Sequence, residues 1–171
     1  MPTTIRTFHP ADTDRVVELS LAAWEPVFAS SRAILGDRLY RRVHPDWRTD
    51  QAASVRDALE RHETWVATTD GVVTGFVNVV FDTDARSGEI YMIAVDPTAQ
   101  RRGIATLLTD LALEEMRARG IDLAIVATGG DPGHAPARAA YEKAGFTGAP
   151  QVWYARLLTA DANAEQADTG V

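Results

Sequence analysis

The sequence predicts an α/β fold, one central mixed β-sheet with helices on both faces, and three observations carry that prediction. Apolar residues in the first third recur at helical spacing, two strand-like runs then flank an Asp-Gly dipeptide, and buried-strand and helical patterns alternate from Glu89 onward. "TTIRTFH" alternates modestly and reads as the first strand. "PADTDRVVELSLAAWEPVFASS" follows as a helix, with Asp12 or Thr13 as N-cap and Val16, Leu19, Ala23 and Trp24 near one face. "RAILGDRLYRRV" reads as a second helix ending before "HPDW", because the residue preceding Pro45 is pushed out of helical backbone. "QAASVRDALERH" reads as a third. Asp70-Gly71 suits the positive φ angles of a two-residue turn, so "TWVATT" and "VVTGFVNVVF" form an antiparallel hairpin. "EIYMIAV" is apolar almost throughout, as a strand covered on both faces should be, and stops at Asp96-Pro97. "QRRGIATLLTDLALEEMRARG" is a long helix with Ile104, Leu107, Leu108 and Leu111 on one face and Gly120 as its stop. "DLAIVAT" is another buried strand, "APARAAYEKAG" a helix stopped at Gly145, and "QVWYARLL" a final strand.

The 171 residues suffice for one hydrophobic core but not comfortably for two. A folded domain is expected over residues 1–159, with a small, polar, acidic tail over 160–171 that is expected to be disordered. There is no cysteine, which removes disulfides and thiolate metal sites, and the four histidines lack paired spacing, so no metal is expected. A net charge of −7 argues against nucleic acid, which demands a basic surface. No apolar run is long enough to cross a bilayer, and the opening stretch lacks the basic start and apolar stretch of a secretion signal, so the cytoplasm is expected. Mild acidity suits a cationic partner such as an amine, and equally serves solubility. A homodimer is left open.

The chemistry concentrates in "EIYMIAVDPTAQRRGIATLL". A strand runs through a short loop into a helix opening with Arg101, Arg102, Gly103, Ile104, Ala105 and Thr106. The first turn of a helix has unpaired N–H groups and a partial positive charge, which together attract phosphate. Gly103 and Ala105 keep side chains out of the way, and the two arginines add charge. Gln100-Arg101-Arg102-Gly103-Ile104-Ala105, after a strand ending "AVDP", resembles the Q/R-x-x-G-x-G/A coenzyme A signature of the GNAT (Gcn5-related) N-acetyltransferase superfamily. Ala137 to Phe146, "ARAAYEKAGF", is similar to the A-x-x-x-Y-E-K-x-G-F motif late in that fold. Together the motifs cover about Glu89 to Phe146, and the element order extends the likeness over Thr4 to Leu158.

The resemblance implies an acetyl-CoA-dependent N-acetyltransferase without a metal, acting on a small-molecule or peptide amine. It also leaves room for a non-catalytic acyl-CoA sensor. It implies that main-chain groups of Ile93 and Val95 hold pantetheine and polarise the thioester carbonyl. Tyr141 then matches the general acid that protonates the leaving thiolate, the alternative being plain packing against the cofactor. Glu89, six residues before Val95, matches the catalytic glutamate of histone-acetylating members, the alternative being a solvated strand residue. His134 stands where the family often has an asparagine contacting coenzyme A, and has three readings: that cofactor contact, a base, or a helix cap. The acceptor pocket is expected from the early helices and their connection, where the stretch 40–47 is polar and aromatic enough to bind a ligand and Trp24 and Phe28 suit either an apolar wall or the core.

Overall fold

The computed structural model describes residues 2–158; the acidic tail expected over 160–171 lies outside them. In chain order the described residues form β1 (Thr3–Thr7), α1 (Thr13–Val43), α2 (Trp47–Arg61), β2 (Glu63–Thr69), β3 (Val72–Asp82), β4 (Ser87–Val95), α3 (Ile104–Ala118), β5 (Leu123–Val126) and α4 (Ala135–Lys143). The sheet order is β1-β2-β3-β4-β5. The first three pairings are antiparallel, and β4 pairs with β5 in parallel, which is why α3 must intervene as a crossover. Asp70 and Gly71 take φ of 54° and 79° and turn β2 into β3, as their sequence predicts.

Each face of the sheet is covered. On one, Ile104, Leu108, Ala112 and Met116 of α3 pack against Val77, Val79, Ile90 and Val95. Gly88 permits this approach, because a Cβ there would come within 2.9 Å of the Met116 side chain. On the other, Val16 and Leu19 of α1 and Val55 and Leu59 of α2 pack against Val66, Phe76 and Ala94. The α/β mixed sheet with helices on both faces is therefore present as expected.

Four local expectations are corrected. Leu107 is 44% exposed; the buried stripe of α3 advances in steps of four residues from Ile104 to Met116. The first two predicted helices form one span, Thr13–Val43, broken at Gly36 (φ 72°) rather than near Ser31, since glycine accepts the left-handed backbone that interrupts the helix. Asp12 precedes α1 but makes no cap bond to it; its carboxylate binds Arg6 and the His9 amide. The segment 151–158 forms no strand: β5 is four residues long, and Val152, Trp153, Tyr154 and Leu158 are all exposed. Strand propensity without a paired neighbour does not make a strand.

Candidate active site

An opening between β4 and β5 frames the site. Their pairing runs from Ser87–Leu123 to Ile90–Val126 and stops, while β4 continues to Val95. Across the strand, β4 stays paired with β3 to Gly75–Val95, and the Asp96 amide adds a bond to the Thr74 carbonyl at 2.9 Å. Hydrogen-bonded pairs alternate along an antiparallel ladder, so Ala94 and Met92 direct their peptide groups at β3 while Ile93 and Val95 direct theirs into the opening. The Val95 carbonyl accepts the Gln100 side-chain amide at 3.1 Å. That leaves the Ile93 amide and carbonyl and the Val95 amide facing the opening.

The loop after β4 ends at the N-terminus of α3. Gly103 sits at the N-cap with φ 81°, and Arg101 is also left-handed at φ 61°. The first helical bond runs from the Leu107 amide to the Gly103 carbonyl at 3.0 Å. Hence the amides of Ile104, Ala105 and Thr106 have no acceptor within the helix. Ile104 offers only its amide, because its side chain is buried in the core. Arg101 and Arg102 are exposed beside these amides. Thr106 also lines a cleft of about 250 Å³ between α3 and α4, with Asp110 and Lys143 among its other walls. The open β4 edge, three free amides and two arginines thus stand at one end of the sheet.

The proposed proton-transfer residues stand on different faces. Gly88 and Ile90 point at α3, so Glu89 between them points to the α1–α2 face, where Tyr91 meets His62 at 5.3 Å between rings. Among the described residues no hydrogen bond or ion pair engages the Glu89 carboxylate. Tyr141, on α4, is buried against Phe146, which joins the α3-side core. Burial pushes its phenol up to about 12. His134 precedes α4, with its Nδ1 bound to the Asp131 carboxylate. Of the early aromatic residues, Phe28 stacks on Trp47 at 4.2 Å and the Arg48 guanidinium covers that ring at 4.6 Å. These rings pack on one another on the face toward which Glu89 points.

With this geometry in view, a family model described as the acetyltransferase (GNAT) family matches residues 30–146. The chain belongs to the GNAT acetyltransferase family. The PaiA N-acetyltransferase from Thermoplasma acidophilum, solved in complex with coenzyme A, shares the fold with a TM-score of 0.64 at 16% identity, over 86% of this chain and 91% of that one. The ribosomal-protein-S18-alanine N-acetyltransferase from Escherichia coli gives 0.60 at 20% identity, over 87% and 80%. By sequence, the mycothiol acetyltransferase of Streptomyces bingchenggensis is 29% identical over 84% of this chain and 42% of its own length. That of Beutenbergia cavernae is 52% identical over 37% of this chain and 21% of its own. The chain spans less than half the length of these mycothiol acetyltransferases.

Several residues that shape this GNAT site carry no local signal in the sequence. Asp96, buried where β4 ends, pairs with Arg15 of α1 and accepts from the Thr98 amide at 2.8 Å and hydroxyl at 2.6 Å. Arg15 Nε also donates to the Val73 carbonyl at 3.1 Å, tying α1 to β3 as well as to the start of the loop after β4. Asp131 plays the same part before α4, again followed by proline. The two Asp-Pro dipeptides were the available clue, each opening a 3-10 turn that leads into a helix. The Thr98 hydroxyl foremost, helped by the Thr98 amide and Arg15 against the opposing effect of burial, holds the Asp96 carboxyl below its ordinary value. A carboxyl lowered on folding contributes stability that is present above its unfolded pKa of about 3.9 and is lost as the pH falls through the folded value. Asp96→Asn is therefore expected to lower thermal stability at neutral pH and to flatten its decline below about pH 4. Thermal unfolding across that range measures both.

Proposed function

We propose that this chain transfers the acetyl group of acetyl-CoA to an amine by direct attack on the thioester. The observation that carries the reading is the convergence of the open β4 edge with the free amides of α3. Pantetheine is an amide-bearing arm that needs backbone partners, and the pyrophosphate it carries needs N–H donors and positive charge. Ile93 and Val95 offer the first; the amides of Ile104, Ala105 and Thr106, with Arg101 and Arg102, offer the second. Gly103 keeps the approach clear. Among the described residues no group of three or more His, Asp or Glu is placed to hold a metal ion, and the acyl transfer proposed is organic throughout. No helix among them is long and apolar enough to cross a membrane.

In this reading the thioester carbonyl lies against the Ile93 and Val95 backbone, whose amides stabilise the oxyanion of the tetrahedral adduct. Glu89, on the face of α1 and α2, receives the ammonium of the acceptor and draws off its first proton, through water where the carboxylate does not reach. Tyr141 donates to the departing sulfur from the α4 side. Acceptor recognition falls to α1 and α2. The sequence relatives are named mycothiol acetyltransferases, so amines of the mycothiol type head the acceptors to be compared with simple amines and peptide N-termini.

The test is thiol release from acetyl-CoA over such an amine panel, with cofactor affinity measured separately by calorimetry. Turnover on at least one amine supports transfer; tight binding with no turnover on any would favour the sensor instead. Glu89→Gln is expected to slow transfer by roughly a hundredfold. The loss should be greatest at low pH and with high-pKa amines, where deprotonation is most demanding. A loss independent of pH and amine would make Glu89 structural.

A further inference from the structure

His134 had three readings in the sequence, and the structure removes the cap: it occupies the N-cap position of α4 without making a side-chain cap bond. Its Nδ1 is engaged by Asp131 Oδ2. The second oxygen of that carboxylate accepts the Gly133 amide at 2.8 Å, and Ser30 of α1 also bonds to Asp131. Arg138, on the first turns of α4, donates to the carbonyls of Gly129 at 2.6 Å and Asp131 at 2.8 Å and so clamps the loop. Gly129 leaves the space: a Cβ there would lie 2.5 Å from both Asp131 Oδ2 and His134 Nδ1. Burial alone would raise the Asp131 carboxyl, but the hydrogen bond and charge of His134, with Ser30 and the Gly133 amide, hold it below its ordinary value. Asp131 is thus an ionised acceptor for the Nδ1 proton of His134.

A carboxylate on Nδ1 fixes the tautomer and leaves Nε2 as the basic nitrogen. The position of the pair gives that nitrogen something to do. Its loop departs from β5 at Val126, where the pairing with β4 ends, and so begins at the mouth of the opening. It then reaches across to α1, where a Cβ at Gly133 would meet Val27 Cα at 2.7 Å and the Pro26 carbonyl at 2.8 Å. Seven residues later, close to two full turns, α4 carries Tyr141 on the same side of the helix. The pair therefore lies where the α1 face, taken above as the acceptor side, meets the helix that faces the cofactor.

We propose that His134, oriented by Asp131, accepts the second proton that the acceptor nitrogen loses during acetyl transfer. This rests on the transfer reading above. An ammonium sheds two protons in becoming an amide. The first leaves before attack, to Glu89. The free amine then adds to the carbonyl carbon, giving a tetrahedral adduct with a positive nitrogen and an oxyanion. As the C–S bond breaks, the oxyanion re-forms the carbonyl, the nitrogen passes its proton to His134 Nε2, and the thiolate takes one from Tyr141. Solvent then receives protons from Glu89 and His134 and returns one to Tyr141, so one proton is released per turnover. The charged groups around His134 are Asp131 and Arg138 on its own loop and helix; from α1, Glu25 beside the contact is engaged by Arg48 at 3.0 Å.

The experiment is the single-turnover rate of acetyl transfer to a saturating primary amine, from pH 5.5 to 9, in wild type, His134→Asn, His134→Ala and Asp131→Asn. Asparagine keeps a donor for Asp131 and lacks a base. Wild type should show an acid limb in its pH profile, because the proposed base accepts no proton once it is already protonated. His134→Asn should be slower by at least about tenfold near neutrality and lack that limb. Asp131→Asn should retain an acid limb but react more slowly, because the ring loses the partner that orients Nε2. Added imidazole should restore rate to His134→Ala. Uniform slowing without rescue, or weaker acetyl-CoA binding with an unchanged chemical step, would overturn the proposal. If the variants do not fold, an NMR titration of wild-type His134 decides: agreement with the acid limb supports it and disagreement refutes it. Failure of wild type to turn over any amine would instead remove the transfer reading.

Discussion

Gly103→Glu is expected to raise the dissociation constant for acetyl-CoA by on the order of a hundredfold while leaving the protein folded. Gly103 caps α3 at φ 81°, and no atom lies within 4 Å of where a Cβ would stand. The fold therefore meets no clash, only the cost of a left-handed non-glycine residue, roughly 1–2 kcal/mol or a few degrees in Tm. A carboxylate about 5 Å from a phosphate charge, at an effective dielectric near 20, meets a repulsion of about 3 kcal/mol, hence the loss in affinity. Gly103→Ala carries the backbone strain without the charge and should bind nearly as wild type does. Calorimetric titration of both separates the terms. Equal affinity in all three proteins would place the pyrophosphate elsewhere.

Tyr141→Phe should slow the chemical step by roughly a hundredfold or more with little change in acetyl-CoA affinity. The phenol makes no hydrogen bond among the described residues, so its removal should scarcely disturb packing against Phe146. Burial, by raising the phenol to about 12, keeps it protonated throughout the physiological range. The same shift limits what it can do. A thiol has a reference pKa near 8.5, so full transfer to a free thiolate is uphill by about 5 kcal/mol in the unloaded site. In the proposed mechanism Tyr141 therefore acts first as a hydrogen-bond donor to the developing thiolate, and completing the transfer requires the loaded site to lower the phenol. An acetyl donor with a more acidic thiol should recover part of the rate in single-turnover measurements. Equal slowing with both donors would reduce Tyr141 to a positioning residue.

The parts of the fold legible in the sequence are those set by local chemistry. Asp70-Gly71 announced its turn through two positive φ angles, and "EIYMIAV" its strand through its composition, although Tyr91 is 47% exposed and the strand is less covered than that composition suggests. The loop before α3 was legible for the same reason: a glycine directly after an apolar strand and before a helix marks a left-handed turn into that helix, and Gly103 takes φ 81° there. The strand expected over 151–158 failed because a strand is a property of its neighbours, and β5 is short. The break in α1 was misplaced because the serines near Ser31 are compatible with a helix, whereas Gly36 accepts the left-handed turn. Arg15 and Asp96 were invisible for another reason, since 81 residues separate them and no local pattern links the two. His134 departs from the family pattern, whereas its partner Asp131, three residues earlier among Gly129, Gly130 and Gly133, gives no local sign of the pair. Opposite faces for Glu89 and Tyr141 follow from strand alternation only once Gly88 is known to lie under Met116.

The central claim, that acetyl-CoA lies in the opening of β4 and β5 with its phosphates on α3, is tested most directly by hydrogen exchange with and without acetyl-CoA. Slowed exchange should appear at Ile93 and Val95, over Gly103 to Thr106, and in the loop 127–134. Protection confined to α1 and α2, with the β4 edge and the start of α3 exchanging as before, would contradict the account.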